Sequence, residues 1–194
     1  MIGKTRDRLN LLRNRISPEV EVGLLLPKDA EELFVLVDGS RRHLSKYLTW
    51  ADRVSCPQDE EEFLALALAA LNVGTGYHFG IWRSNQLAGT VSIEVDHENN
   101  SGEIGYFLGQ NFLGTGLMTI AALAIVNFGF ATLGLMRIEA NIAVTNTASR
   151  NVCLRVGLSS ESVAKKALFL GNKFVDRETF ACFADSWEPP ESQL

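Results

Sequence analysis

The sequence predicts an α/β (α+β) domain built on a mixed, mostly antiparallel central sheet flanked by helices. Three observations carry this expectation. Runs rich in β-branched and aromatic residues alternate along the chain with apolar stripes at helical spacing. Two turn signals, Ser84-Asn85 and Gly171-Asn172, join neighbouring runs as hairpins. Between the hairpins a short glycine-bracketed strand, a second glycine pair and a long apolar stripe follow one another directly.

Taken in order, residues 1–17 carry Lys4, Arg6, Arg8, Arg13 and Arg15 against the single acid Asp7. They read as a basic leader: a solvated segment, the first helix turn of a packing arm, or an anchor for acidic partners. Val20–Leu26 is a strand closed by Pro27. Asp29 and Glu32 stand at the spacing of a capping box for a helix over Ala30–Val37. A short segment, Arg41–Trp50, precedes a helix that opens at Cys56-Pro57 with acids in its first turn, as the helix dipole favours. Gly74 and Gly76 stop it.

Tyr77–Arg83 and Gln86–Asp96 form the first hairpin, and a polar turn at 97–102 leads into the strand Gly102–Gly109. The stripe Leu117, Ile120, Ala121, Ala124, Ile125, Phe128 is the long helix. Met136–Thr145 alternates as a strand, Asn146-Thr147-Ala148-Ser149 starts a further helix, and Ser162–Leu170 with Lys173–Phe183 closes the domain as a hairpin. The domain is expected over 18–187, with a frayed tail at 188–194.

A chain of 194 residues with 46% hydrophobic and 21% charged residues is globular and long enough for one sizeable core. The net charge of −5 argues against a broad nucleic-acid surface. Cys56, Cys153 and Cys182 are odd in number and far apart, as reduced thiols are. His43, His78 and His97 make no pair at metal-ligand spacing, so no metal is expected. The apolar run Leu117–Leu135 is interrupted by polar residues and glycines and reads as a buried helix, with no membrane span. No secretory signal is visible, which leaves the cytoplasm as the expected location.

The stretch Leu113-Gly114-Thr115-Gly116 is the chain's most specific local signal. Glycines at the mouth of a helix leave backbone N–H groups uncovered, and the dipole adds partial positive charge beside them. A phosphate-bearing ligand suits such a place. A tight strand-to-helix turn without a ligand uses the same residues. A P-loop is excluded because no Lys follows Gly116, and a dinucleotide fingerprint fits poorly because the loop comes past the middle of the chain.

The strand, this loop and its helix, followed after the next strand by Asn146-x-x-Ser149-Arg150, together resemble the GNAT acetyltransferases, and within them the RimJ/RimL group that acetylates protein N-terminal amines. Further matches are Leu48-Thr49-Trp50-Ala51-Asp52, Gly76–Ile81, Glu103-Ile104-Gly105-Tyr106, Gly116–Thr119 and Asn172–Asp176. The resemblance implies a splayed sheet whose cleft admits acetyl-CoA. Tyr106, Phe107 and Leu108 would face the pantetheine arm, and Leu113, Gly114, Thr115, Gly116, Leu117 and Met118 would wrap the pyrophosphate. Asn146 would contact CoA or cap its helix, and Ser149 would place its hydroxyl beside the CoA sulfur. In this family the acetyl group passes directly to an amine, without an acyl-enzyme or a metal.

Departures from the family are part of the reading. Leu113 and Thr115 stand where relatives often carry Arg, Gln or Lys, and Leu168 stands where RimL-like enzymes carry a Glu as base. Glu103 or a water chain would then take the proton, or the amine arrives neutral; Glu103 also reads as a solvated strand-end carboxylate. Tyr47, Trp50 and His78 are candidates for an acceptor pocket or its wall. Three functions follow: acetylation of a protein or peptide α-amine, acetylation of a small amine, or a non-catalytic acyl-CoA-binding regulator. A homodimer is common in the resembling group, and no residue here demands one.

Overall fold

A computed structural model describes residues 13–189, so the expected leader and tail fall largely outside the described residues. Strands β1 (Asn14–Ser17) and β2 (Val20–Leu24) precede helices α1 (Ala30–Leu44) and α2 (Pro57–Val73). The meander β3 (Gly76–Arg83), β4 (Gln86–Asp96) and β5 (Ser101–Leu108) follows. Helix α3 (Leu117–Ala131), β6 (Arg137–Ala143), α4 (Thr147–Arg155) and the hairpin β7 (Ser159–Leu170) and β8 (Lys173–Phe183) complete the order. The strands make one sheet in the order β1-β2-β3-β4-β5-β6-β8-β7. Every neighbouring pair is antiparallel except β5 and β6.

Hydrophobic periodicity explains the two-sided core. Tyr106 and Leu108 pack into a cluster with Leu117, Ala121, Ile125, Ile138, Val152, Cys153 and Phe180, so α3 and α4 cover one face. The intervening Phe107 packs into the other cluster, which holds Leu33, Val37 and Leu44 of α1 and Leu64 of α2. Alternation along β5 thus assigns the helix pairs to opposite faces. Ile138 is fully buried, and truncating such a residue to Ala costs about 2–5 kcal/mol. No helix among the described residues is long and apolar enough to cross a membrane.

Three local expectations are corrected. Helix α1 runs on from Val37 to Leu44, because Leu33, Val37, Ser40 and Leu44 keep one buried stripe at three- and four-residue spacing. The Asp29–Glu32 capping box does not form: Asp29 makes no side-chain cap bond to the helix. Its carboxylate instead accepts from the backbone of Leu26 at 2.9 Å, while Glu32 accepts from the backbone of Leu87 at 2.7 Å and from the Trp82 indole. A backbone N–H of β4 and the Trp82 indole of β3 have claimed the carboxylate that spacing assigned to the helix. At the other end, β7 begins at Ser159, three residues before the expected start, because Ser159 pairs with Ala181 of β8.

At the opening of α2 the sequence expectation holds. The carboxylate of Asp59 accepts from the backbone of Ser55 and Cys56, and these bonds, with that from the Ser55 hydroxyl, hold it below the usual carboxylate range. The three cysteines are free thiols.

Candidate active site

The cleft arises where β5 and β6 part. They pair in parallel only at Ser101 with Arg137, Gly102 with Ile138 and Glu103 with Glu139. Beyond Glu103, β5 stays with β4 as far as Leu108, while β6 stays with β8. Residues 104–108 of β5 therefore have no β6 partner among the described residues, and a cleft of about 550 Å³ opens beside them. Tyr106, Phe107 and Leu108 form its floor. The end of α1 and the following segment, from His43 to Leu48, forms one wall, and Thr145–Ser149 with Val152 and Arg155 forms the other.

The glycine loop closes one end of the cleft through Leu113, Gly114, Gly116, Met118 and Thr119. Gly114 and Gly116 have φ of +72° and +79°, a region that glycine enters without strain. Gly116 is the N-cap of α3 and no side chain caps the helix there. The first N–H groups of α3 accordingly lack intrahelical partners and face the cleft end. A Cβ at either glycine would meet no protein atom within 4 Å, so the space there is open to a ligand.

Ser149 stands on the wall of the cleft in the first turn of α4. Asn146 is the N-cap of that helix, and its side chain accepts from the Ser149 N–H at 3.2 Å. The Tyr106 hydroxyl donates to the Ser149 carbonyl at 2.9 Å and lies 3.3 Å from the Cys153 sulfur. Burial, the largest influence, raises the pKa of Tyr106, and burial also raises that of Cys153, so both stay protonated. The next residue, Arg150, binds Glu178 of β8 at 2.6 Å and holds that buried carboxyl below its usual range. Helix α4 is thus fixed to both halves of the splayed sheet.

Across the mouth of the cleft, the Tyr47 hydroxyl donates to the Thr145 carbonyl at 2.9 Å. Residues 98 apart in sequence meet there. Of the expected acceptor residues, Tyr47 alone lines the cleft. Trp50 packs on the Phe107 ring, centroids 5.5 Å apart, and supports the floor from behind. His78 lies outside the cleft lining, paired with Glu94 at 2.9 Å and edge-on to Phe63.

The structure separates the two residues expected to be catalytic. Glu103 lies where β5 and β6 are still paired, exposed and outside the cleft lining. Alternation along β5 turns it to the face opposite the core residue Ile104. Of the expected loop ligands, Leu117 is core, 3% exposed, and Thr115 donates to the Phe112 carbonyl; neither lines the cleft. Leu168, paired with Val175 past an irregularity in β7, is not in the lining either.

His43, Lys46, Asn151, Val152 and Arg155 line the cleft without having been singled out by sequence. For α4 the signal was present: 149, 152 and 155 fall on one helical face. For His43 and Lys46 no local pattern exists, since their place depends on where α1 ends.

Residues 23–159 match the family model described as Acetyltransferase (GNAT) domain. YdaF of Bacillus subtilis (strain 168), named provisionally as a ribosomal N-acetyltransferase, is 29% identical over 90% of this chain and 96% of its own. Among solved structures, RimL, a ribosomal L7/L12 alpha-N-protein acetyltransferase in complex with coenzyme A, superposes with a TM-score of 0.85 at 23% identity, over 90% of this chain and 99% of that one. The microcin C7 self-immunity acetyltransferase MccE, in complex with acetyl-CoA and AMP, superposes with a TM-score of 0.81 at 27% identity, over 87% of this chain and 94% of that one.

Proposed function

The chain belongs to the GNAT acetyltransferases, and from that membership we propose that it transfers an acetyl group from acetyl-CoA to the N-terminal α-amine of a protein. The observation that carries the reading is the continuity of the cleft. It runs from the uncapped, glycine-lined N-terminus of α3, suited to a pyrophosphate, along the unpaired edge of β5 to Ser149. An extended arm with amide groups completes the hydrogen bonds that β5 does not make with β6.

In this reading the neutral amine attacks the thioester carbonyl, the C–S bond breaks and the thiolate takes a proton from the Ser149 hydroxyl, while the attacking nitrogen gives up its proton to solvent, from which the serine is reprotonated. No hydrogen bond to that hydroxyl occurs among the described residues, so it is free to turn to the sulfur. The α-amine is favoured as acceptor because the cleft lining contains no carboxylate among the described residues to serve as base. An α-amine has a pKa of about 8, against about 10.4 for lysine, and supplies far more neutral nitrogen near pH 7. YdaF and RimL are both named for ribosomal acetylation, which supports a protein acceptor.

The test is turnover of acetyl-CoA with a panel of amines. A peptide with a free, small N-terminal residue should be acetylated faster than the same peptide blocked at its N-terminus and carrying an internal lysine. Turnover confined to polyamines or amino acids would replace the protein acceptor with a small amine. Acetyl-CoA binding without turnover on any amine would leave a regulatory acyl-CoA binder. Ser149→Ala should lower turnover by about 10²-fold while leaving acetyl-CoA affinity nearly intact. Equal loss of both would make Ser149 a structural residue.

A further inference from the structure

We propose that Arg155 reads the 3′-phosphate of CoA and makes this chain select acetyl-CoA over acetyl thioesters that lack that phosphate. The inference rests on the acetyl-CoA reading of the cleft and concerns a residue that the loop does not contain. From Gly109 to Ile120 the chain has no Lys or Arg, so the loop offers a ligand backbone N–H groups and a helix dipole but no full positive charge. A phosphomonoester carries a charge of about −1.5 to −2 at pH 7, more than either phosphate of a pyrophosphate diester. The cation that answers it has to come from the walls.

Three basic side chains line the cleft: His43, Lys46 and Arg155. Burial, and then the neighbouring Lys46, lowers the pKa of His43, which leaves it neutral near pH 7. Lys46 also borders a second hollow, where Asp38 and Asp52 stand with it. Arg155 is at the loop end. Its Nε donates to the Thr119 hydroxyl at 3.0 Å, which ties the guanidinium to the first turn of α3. Among the described residues Arg155 makes no ion pair, whereas Arg15, Arg41, Arg83, Arg137, Arg150 and Lys165 each have a carboxylate partner.

The anchor also sets the geometry. With Nε engaged, both terminal nitrogens remain as a planar fork, the arrangement that binds a phosphate through two parallel hydrogen bonds. Thr119 lies three residues beyond the Gly116 cap, so the fork stands beside the pyrophosphate position and not on it. The ribose of CoA sets its 3′-phosphate to the side of the pyrophosphate in the same way. The backbone of the loop holds the two-phosphate bridge, and Arg155 holds the terminal charge.

Calorimetric titration with acetyl-CoA and with 3′-dephospho-acetyl-CoA tests this directly. The wild-type protein should bind acetyl-CoA more tightly than the dephospho form. Arg155→Gln should lose about tenfold in affinity for acetyl-CoA and almost nothing for the dephospho form, leaving the two ligands equal. Arg155→Lys should recover part of the preference, because charge remains while the fork is lost. Thr119→Ala should weaken acetyl-CoA alone. Melting curves without ligand check that each variant is folded. An equal loss for both ligands in Arg155→Gln, or no loss for either, overturns the proposal while the acetyl-CoA reading stands. Failure of the wild type to bind either ligand overturns the acetyl-CoA reading itself.

Discussion

The hydroxyl of Tyr106 and the carbonyl of Ser149 are 2.9 Å apart, a hydrogen bond that joins the floor of the cleft to the first turn of α4. The two residues are 43 apart in sequence and belong to the strand and the helix that border the gap. The position of the Ser149 hydroxyl therefore depends on a side chain that itself lines the cleft. Tyr106→Phe removes the donor and leaves the shape. The loss of one such bond is about 1 kcal/mol, which lowers the melting temperature by about 2–4 °C in a domain of this size. Turnover should fall more than acetyl-CoA affinity, because the variant loosens Ser149 and spares the glycine loop. A melting curve paired with kcat and KM measures both.

The glycine loop predicts a sharper separation. Gly116→Ala forces a side chain into positive φ, at a cost of about 1–2 kcal/mol, without touching any other protein group. Gly116→Asp adds a negative charge where the pyrophosphate would lie. Acetyl-CoA at millimolar concentration should raise the melting temperature of the wild type by mass action and leave Gly116→Asp unmoved. A wild-type curve that does not respond would remove the cofactor assignment.

Glu60 gives a pH dependence with a definite sign. It is buried in the first turn of α2, and its Oε1 has no hydrogen-bond partner. Burial, and then repulsion from Asp59, pushes its carboxyl up to about 7. In the unfolded chain the value is about 4.3, so the folded state holds a proton that the unfolded state releases. Stability is therefore lost as pH rises from about 4.3 to the folded value, and the loss is complete above it. Glu60→Gln should raise the melting temperature by several degrees at pH 8 and by much less at pH 5. Equal shifts at the two pH values would show an ordinary carboxylate.

The separation of Glu103 from the cleft bears on the rate profile. With the α-amine acceptor, kcat/KM should climb with pH and level off near the amine's own pKa of about 8. Glu103→Gln should leave that profile in place, since the carboxylate stands outside the cleft on the paired segment of β5. A wild-type plateau one or more units lower that disappears in the variant would make Glu103 a working base.

Much of the fold was legible because local chemistry and tertiary packing agree. The stripe from Leu117 to Phe128 is apolar enough to be buried against any sheet, and the Ser84-Asn85 turn fixes its hairpin whatever surrounds it. The N-cap role of Asn146 was readable for the same reason, since its partner is three residues away. The capping box at Asp29 was not, because the backbone of Leu87, 55 residues on, competes for Glu32. The glycine loop was visible in sequence. Trp50, His78 and Glu103 were expected at the site because of the residues beside them. Their actual places follow from Phe107, Glu94 and the last rungs between β5 and β6, which no neighbouring residue encodes. Arg155 shares a helical face with Ser149 and Val152, but its tie to Thr119, 36 residues away, has no local signal.

The short pairing between β5 and β6 has a consequence for exchange with solvent. Amides in the middle of a sheet are protected because each is bonded to a neighbouring strand. Past Glu103, alternate N–H groups of β5 point towards β4 and are covered, while those between them point into the cleft. The empty protein therefore places rapidly exchanging amides at the centre of its sheet, beside some of its slowest. A ligand arm lying along that edge would slow every second residue from Ile104 to Leu108 and leave the others as they were. Deuterium uptake read residue by residue would record the occupant as a missing strand.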